Sequence, residues 1–169
     1  MTTHALDDAF AHHAWATLRL IDACLPLTPE QLEAAVPGTY GSILDTLRHV
    51  VRGDSQYISH LSGDPGRQIA TEHMGLLELR AAVETVRSAW IELLAKGLDP
   101  DAVVKDVDEG GYVRDASIGL RVAQALQHGN DHRSQICTAL TSLGVDPPAI
   151  DVWAYGYETG RAVDTPPAS

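Results

Sequence analysis

Apolar residues recur every three to four positions along four long stretches of the chain, the spacing of one face of an α-helix. The first stretch covers residues 4–25. Leu6, Phe10, Ala14, Ile21 and Cys24 form its buried side, and Pro26 ends it. The second covers residues 42–62, with Ser42 as cap, Asp45 in the first turn and Gly63-Asp64-Pro65-Gly66 as the stop. Its main apolar face is Ile43, Leu44, Leu47, Val50, Val51, Ile58 and Leu61. The third covers residues 72–96, where Leu76, Leu79, Val83, Val86, Trp90 and Leu93 keep the period. Thr71 is placed to cap it and Gly97 to stop it. The fourth, residues 117–143, would run roughly 40 Å at 1.5 Å per residue. Ser117 caps it; Ile118, Val122, Ala125, Leu126, Gly129, Ile136, Leu140 and Leu143 make its stripe; Gly144 and Pro147-Pro148 close it.

The connections carry weaker signals. Thr28-Pro29-Glu30-Gln31 has the order of a cap, a first-turn proline and a capping-box glutamine, so a short helical turn is expected. Residues 103–107 and Tyr112-Val113-Arg114 flank Asp108-Glu109-Gly110-Gly111, the pattern of a small hairpin. Residues 148–157 read as a short helix or turn with Trp153, Tyr155 and Tyr157, which can cover the bundle, line a pocket mouth or face a partner. The tail at 163–169 reads as frayed. The pattern predicts one all-α domain over residues 1–169: a four-helix bundle with a small β-hairpin before the last long helix.

Composition narrows the function. The 169 residues suffice for a real core, and three tryptophans, five tyrosines and one phenylalanine leave it mainly aliphatic. A net charge of −11 would repel phosphates, so no nucleic-acid partner is expected. No apolar run has the length of a membrane span, and the first residues show no basic-then-apolar signal pattern. With two cysteines, Cys24 and Cys137, in no metal-like spacing, a cytoplasmic location is expected.

Eight histidines supply the candidate chemistry. His128 and His132 are four apart on the fourth helix, so their rings leave the same side on adjacent turns, beside Arg121 and Gln135. Two such rings can share a metal ion, or can simply make a polar edge. On the second helix His49 lies off the main face, on a second stripe with Gly53, Gln56 and His60. That stripe is either a solvated surface or a second interior seam. On the first helix His13 and Thr17 fall on the buried face and His12 more outward. A core-face histidine is either a hydrogen-bonded structural residue or a cavity wall.

At these histidines the chain resembles the DinB/YfiT-like family of metal-binding bundles. The resemblance is carried by AFAHHAWATLRLIDAC, SILDTLRHVVRGDSQYI and ALQHGNDHRSQICTALTSLGV. Its most specific element is the His-x3-His-Arg-x-Gln pattern of His128, His132, Arg133 and Gln135. The resemblance implies a divalent metal, zinc or nickel most often, held by His49, His128 and His132. It also implies a homodimer, and for some relatives a thiol-dependent transferase or isomerase reaction using mycothiol, bacillithiol or glutathione. Many members carry Asn where this chain has His13, so a fourth imidazole could close the site or act as a base. His13, Gln56, Arg121 and Gln135 are the candidates to surround it, with His60 a further candidate wall residue.

Three functions follow as alternatives. The first is a metal-dependent enzyme, in which Arg121 or Arg133 could hold a substrate carboxylate and neither Cys24 nor Cys137 is the nucleophile. The second is a non-catalytic bundle, related to stress, that binds a metal or small ligand. The third is a helical interaction module with surface histidines.

Overall fold

The computed structural model describes residues 5–107 and 110–167. Of the stretches read above, position 4 of the first, Asp108 and Glu109 of the hairpin turn and positions 168–169 of the tail lie outside this range. Four long helices form: α1 (Ala5–Cys24), α3 (Ile43–Ser62), α4 (Leu76–Ala95) and α5 (Ile118–Ser142). A one-turn α2 (Pro29–Leu32), a hairpin of β1 (Val103–Val107) and β2 (Val113–Ser117), and a short α6 (Val152–Glu158) complete the chain.

Local chemistry sets most of the ends. The Ser42 hydroxyl accepts from Asp45 N–H at 3.1 Å, which starts α3. Gly63, at φ 68°, ends it in the left-handed conformation glycine adopts without a Cβ clash. The Thr28 and Gln31 side chains exchange bonds across the first turn of α2 in a full capping box. Ser117 caps α5 as its sequence suggests. One end is shifted: α4 begins at Leu76 rather than near Thr71. The Thr71 hydroxyl donates to Arg48 O instead, and Glu78 reaches back to Gly75 N–H to cap the helix. A tertiary partner takes the hydroxyl that the local pattern assigns to a cap.

α1 packs on α4 and α5, and α3 packs on the same two helices, so α1 and α3 stand on the diagonal of the bundle. The apolar faces meet in two clusters. One centres on Leu20, Ile21, Leu47, Leu79, Ile136 and Leu140; the other is built from Phe10, Ile58, Val86, Trp90, Val122 and their neighbours. Between them, on three different helices, come the buried polar residues His13, Asp54 and Arg133. The core is therefore two apolar layers separated by a charged one.

The hairpin pairs antiparallel, with Val103 opposite Ser117 and Asp106 opposite Arg114. Its base is tied to α5 by Ile118 N–H to Ala102 O and Gly119 N–H to Pro100 O. The hairpin packs against α3 and α5 and closes the end of the groove between them. At the other edge, α6 straps onto α1. Trp15 Nε1–H donates to Glu158, Arg19 pairs with Glu158, and Arg161 pairs with Asp8. Tyr155 sets its edge against His12 and Trp15, so of the three C-terminal aromatics it is the one that covers the bundle. Trp153 and Tyr157 remain exposed. His12, expected to point outward, is half-buried beneath this strap, where its Nε2–H donates to Ile150 O at 2.8 Å. Burial pulls its pKa below the usual imidazole value.

Candidate metal centre

The second stripe of α3 is an interior seam. His49, Gly53, Gln56 and His60 all line a cavity of about 710 Å³ between α3, α5 and the hairpin. α5 runs along this seam and presents His128 and His132 to His49. The three ring centroids form a nearly equilateral triangle, 4.6–4.7 Å on a side. One nitrogen from each ring lies within 4.8 Å of the others. His49 Nε2 and His128 Nε2 are 2.8 Å apart.

The close approach of helices α3 and α5 depends on Gly53. A Cβ at that position would lie 2.6 Å from His128 Cε1, so the missing side chain is the space the ring occupies. Gln135 sets the third ring. Its Oε1 accepts from His132 Nδ1–H at 3.1 Å and from Tyr40 N–H at 2.9 Å. An amide oxygen can only accept, so His132 Nδ1 carries a proton, and in the neutral ring Nε2 is the atom that holds the lone pair. Tyr40 stacks on His49 at 4.0 Å between centroids and sets its ring edge-on to His132. The Nδ1 atoms of His49 and His128 are buried with no hydrogen-bond partner.

His49 and His128 are held towards the neutral form that ligates. Burial, then the neighbouring His128 and His132, brings His49 down to about 4. Burial, and then His132, also lowers His128. Imidazole must be neutral to bind a metal, and three imidazole nitrogens suit a borderline ion such as zinc or nickel. Three converging nitrogen donors, two Nε2 atoms too close for both to carry lone pairs in isolation, and a ring cradled by Gly53 fit a divalent ion.

The other predicted residues separate into two groups. Gln56 and Arg121 line the cavity, as does His60. Arg121 is 5% exposed and already committed: it grips both Asp106 oxygens at 3.0 and 3.1 Å, and donates to Val104 O and Arg114 O. Those hydrogen bonds from Arg121 hold the Asp106 carboxyl below its usual range. His60 Nδ1 lies 3.6 Å from the same carboxylate.

His13 and Arg133 belong elsewhere. Both are 2% exposed in the layer between the two apolar clusters. His13 Nε2–H donates to Asp54 Oδ2 at 2.8 Å, and Arg133 donates to His13 Nδ1 at 3.2 Å. A guanidinium has no lone pair to offer, so His13 is the neutral Nε2–H tautomer between opposite charges. Both of its nitrogens are occupied and neither faces the three histidines. Gly129 makes this possible, because a Cβ there would lie 2.2 Å from His13 Cε1. Burial lowers Arg133 to about 10. Both thiols are free, and burial pushes Cys24 up to about 12 and raises Cys137 as well.

Sequence reasoning missed Tyr40, Asp54 and Asp106. Asp54 left a trace, a carboxylate on the apolar stripe between Val50, Val51 and Ile58. Tyr40 sits in a loop and Asp106 on a short strand, and no periodicity marks either.

A helical bundle with three histidines from facing helices grouped around one point is a class in which bundle cores serve as metal sites. The chain belongs to the DinB family, whose sequence profile matches residues 1–164. No curated protein matches it. Among the described residues no helix is long and apolar enough to cross a membrane.

Proposed function

We propose that this protein is a metal-dependent enzyme acting on a small molecule in the cavity beside the three histidines. His49, His128 and His132 would hold the ion, zinc or nickel by donor type. The observation that carries this reading is the convergence of the three rings, two of which, His49 and His128, line a cavity of about 710 Å³, a size that suits a small-molecule site. When bound, the ion supplies Lewis-acid chemistry, polarising a carbonyl or favouring the ionised form of a thiol or water.

The chain's own side chains position rather than attack. Gln135 fixes the tautomer of His132, Gly53 seats His128 and Tyr40 covers His49. Of the cavity-lining residues described, Asp106 is the one carboxylate, and Arg121 occupies both of its oxygens. Cys24 and Cys137 are held as thiols by burial. A nucleophile brought by a second molecule fits this arrangement. The finer reading is therefore an S-transferase or isomerase with a low-molecular-weight thiol, mycothiol, bacillithiol or glutathione, as co-substrate, working as a homodimer in the cytoplasm.

The test has two stages. Elemental analysis of protein purified without a histidine tag should find close to one divalent ion per chain, and zinc or nickel should restore it after chelation. No metal, and no uptake, would sink the proposal. Transfer of each of the three thiols to an electrophile is then measured with and without metal. Metal-dependent turnover with one of them is expected; full metal binding without turnover by any would leave a metal-binding bundle and remove the transferase.

A further inference from the structure

Five buried side-chain nitrogen and oxygen atoms of the described residues have no hydrogen-bond partner: His49 Nδ1, Asp54 Oδ1, Trp90 Nε1, Arg121 Nε and His128 Nδ1. A buried polar atom left unpaired is costly, so each calls for an explanation. Asp54 Oδ1 is the one oxygen among them, and a carboxylate oxygen only accepts. Its twin, Oδ2, already takes the His13 Nε2–H at 2.8 Å. An imidazole nitrogen that carries its ring's proton is a donor, so a histidine Nδ1 can supply what Oδ1 lacks.

Position selects His128. Asp54 directly follows Gly53, the residue whose missing Cβ makes room for the His128 ring, and His128 Nδ1 is 3.2 Å from where that Cβ would stand. Gly129, the neighbour of His128, makes the same kind of room for His13, the residue bonded to Asp54. The two glycines bring His128, Asp54 and His13 together where α1, α3 and α5 meet. Burial and His132 lower the His128 pKa, and Asp54 is near enough to work against them. His49 responds to burial, His128, His132 and Arg52 instead.

We infer that Asp54 is the positioning residue of His128: its free oxygen accepts from His128 Nδ1–H and so fixes Nε2 as the nitrogen turned to the other two rings. The inference rests on reading the three histidines as the metal ligands. It gives the charged layer a second task. One carboxylate divides its oxygens, Oδ2 to His13 in the layer and Oδ1 to His128 in the cluster. A carboxylate behind a ligating imidazole fixes its tautomer and makes its free nitrogen more basic. His128 is then held by Asp54 as His132 is held by Gln135.

The full chain with isotope-labelled histidine is read by long-range proton–nitrogen correlation spectra, which report the nitrogen that carries the proton, in chelator and then with zinc. The Nε2 atoms of His49 and His128, 2.8 Å apart, need one donor and one acceptor. Chelated wild type should therefore carry the proton of His128 on Nδ1 and that of His49 on Nε2. Zinc should move the His49 proton to Nδ1 and leave that of His128 in place. Asp54→Asn keeps the shape but offers one accepting atom to two donors. Its oxygen should stay with His13, its amide should turn to His128, and the His128 proton should move to Nε2. Zinc affinity should fall roughly 10–100-fold, the scale of losing a group that orients a metal ligand. His13→Ala breaks the same layer without touching the free oxygen, so it should lower stability and leave the His128 proton and zinc affinity nearly unchanged. A His128 proton on Nε2 in chelated wild type overturns the inference without any variant. Unchanged zinc affinity in folded Asp54→Asn overturns it too, as does an equal loss in His13→Ala, which would make the layer a scaffold alone. Wild type with the His128 proton on Nδ1 that takes up no zinc upholds the placement and removes the metal reading. Zinc uptake with that proton on Nε2 in chelator does the reverse.

Discussion

Residue 53 and His128 share one volume: a Cβ on Gly53 would stand 2.6 Å from His128 Cε1. In an exposed helix, Gly→Ala stabilises by roughly 0.5–1 kcal/mol. Here the added methyl must push the ring, whose other neighbours include His49, His132 and Tyr57. Gly53→Ala is therefore expected to keep its helical circular dichroism while losing roughly tenfold or more in zinc or nickel affinity, the scale seen when groups that place a metal ligand are disturbed. Unchanged affinity in the folded variant would show that His128 is not a ligand or that its ring has room to spare.

His49→Ala, His128→Ala and His132→Ala should each abolish stoichiometric metal at micromolar concentration, since each leaves two of three donors. His73→Ala should retain it, because His73 lies exposed in the loop before α4, away from the cluster. Metal content after equilibrium dialysis reads all four. A His49→Ala protein with full metal content would move the α3 ligand to His60.

His13→Ala separates the buried layer from the three-histidine cluster. It leaves Asp54 and Arg133 facing each other across a void, with two bonds broken at 2.8 and 3.2 Å. Breaking a buried charged network typically costs roughly 3–5 kcal/mol, so a large drop in urea midpoint is expected. His12→Ala, which loses one half-buried bond to Ile150 O, should cost only about 1 kcal/mol. Equal losses in the two variants would show that the Arg133–His13–Asp54 chain does little for stability.

His49 comes from α3 and His128 and His132 from α5, so an ion held by all three would tie two helices of the native state together. Zinc or nickel should raise the melting temperature of wild type with free metal concentration and leave that of His128→Ala nearly unmoved. Coincident curves for chelated and loaded wild type would count against a bridge between the two helices.

Acid should act in a definite direction on the chelated protein. His49, brought to about 4, and His12 and His128, also lowered, bind protons less readily folded than unfolded, where the value is 6.5. The stability they contribute is complete above about pH 6.5 and is lost as the pH falls towards the folded values. Urea midpoints in chelator should thus be lower at pH 5.5 than at pH 7.5. Metal affinity should fall over the same range, because protons compete for the ring nitrogens. A midpoint that rises on acidification would contradict the burial of these rings.

What the sequence determined by itself is whatever depends on neighbours within a few turns. The 3.6-residue apolar period placed all four long helices. Ser42, Gly63 and Ser117 marked helix ends because capping bonds span only three or four residues. The i, i+4 spacing put His128 and His132 on one side of α5, and Gln135 beside His132. Where a distant partner competes, local chemistry is not enough: Thr71 reads as a cap but bonds to Arg48, and His12 reads as outward but lies under α6. The periodicity of α3 left His49 either on a wet surface or in an inner seam. Only packing α5 against Gly53 decided that it was inner, because the contact joins residues 75 positions apart in sequence. The same reason hides His13–Asp54, Tyr40–His49 and Asp106–Arg121 from one-dimensional reading. Two of those pairs cross the bundle or reach out of a loop, and the third spans a hairpin. Charge complementarity and ring stacking act across space at 3–4 Å, and no period along the chain records them.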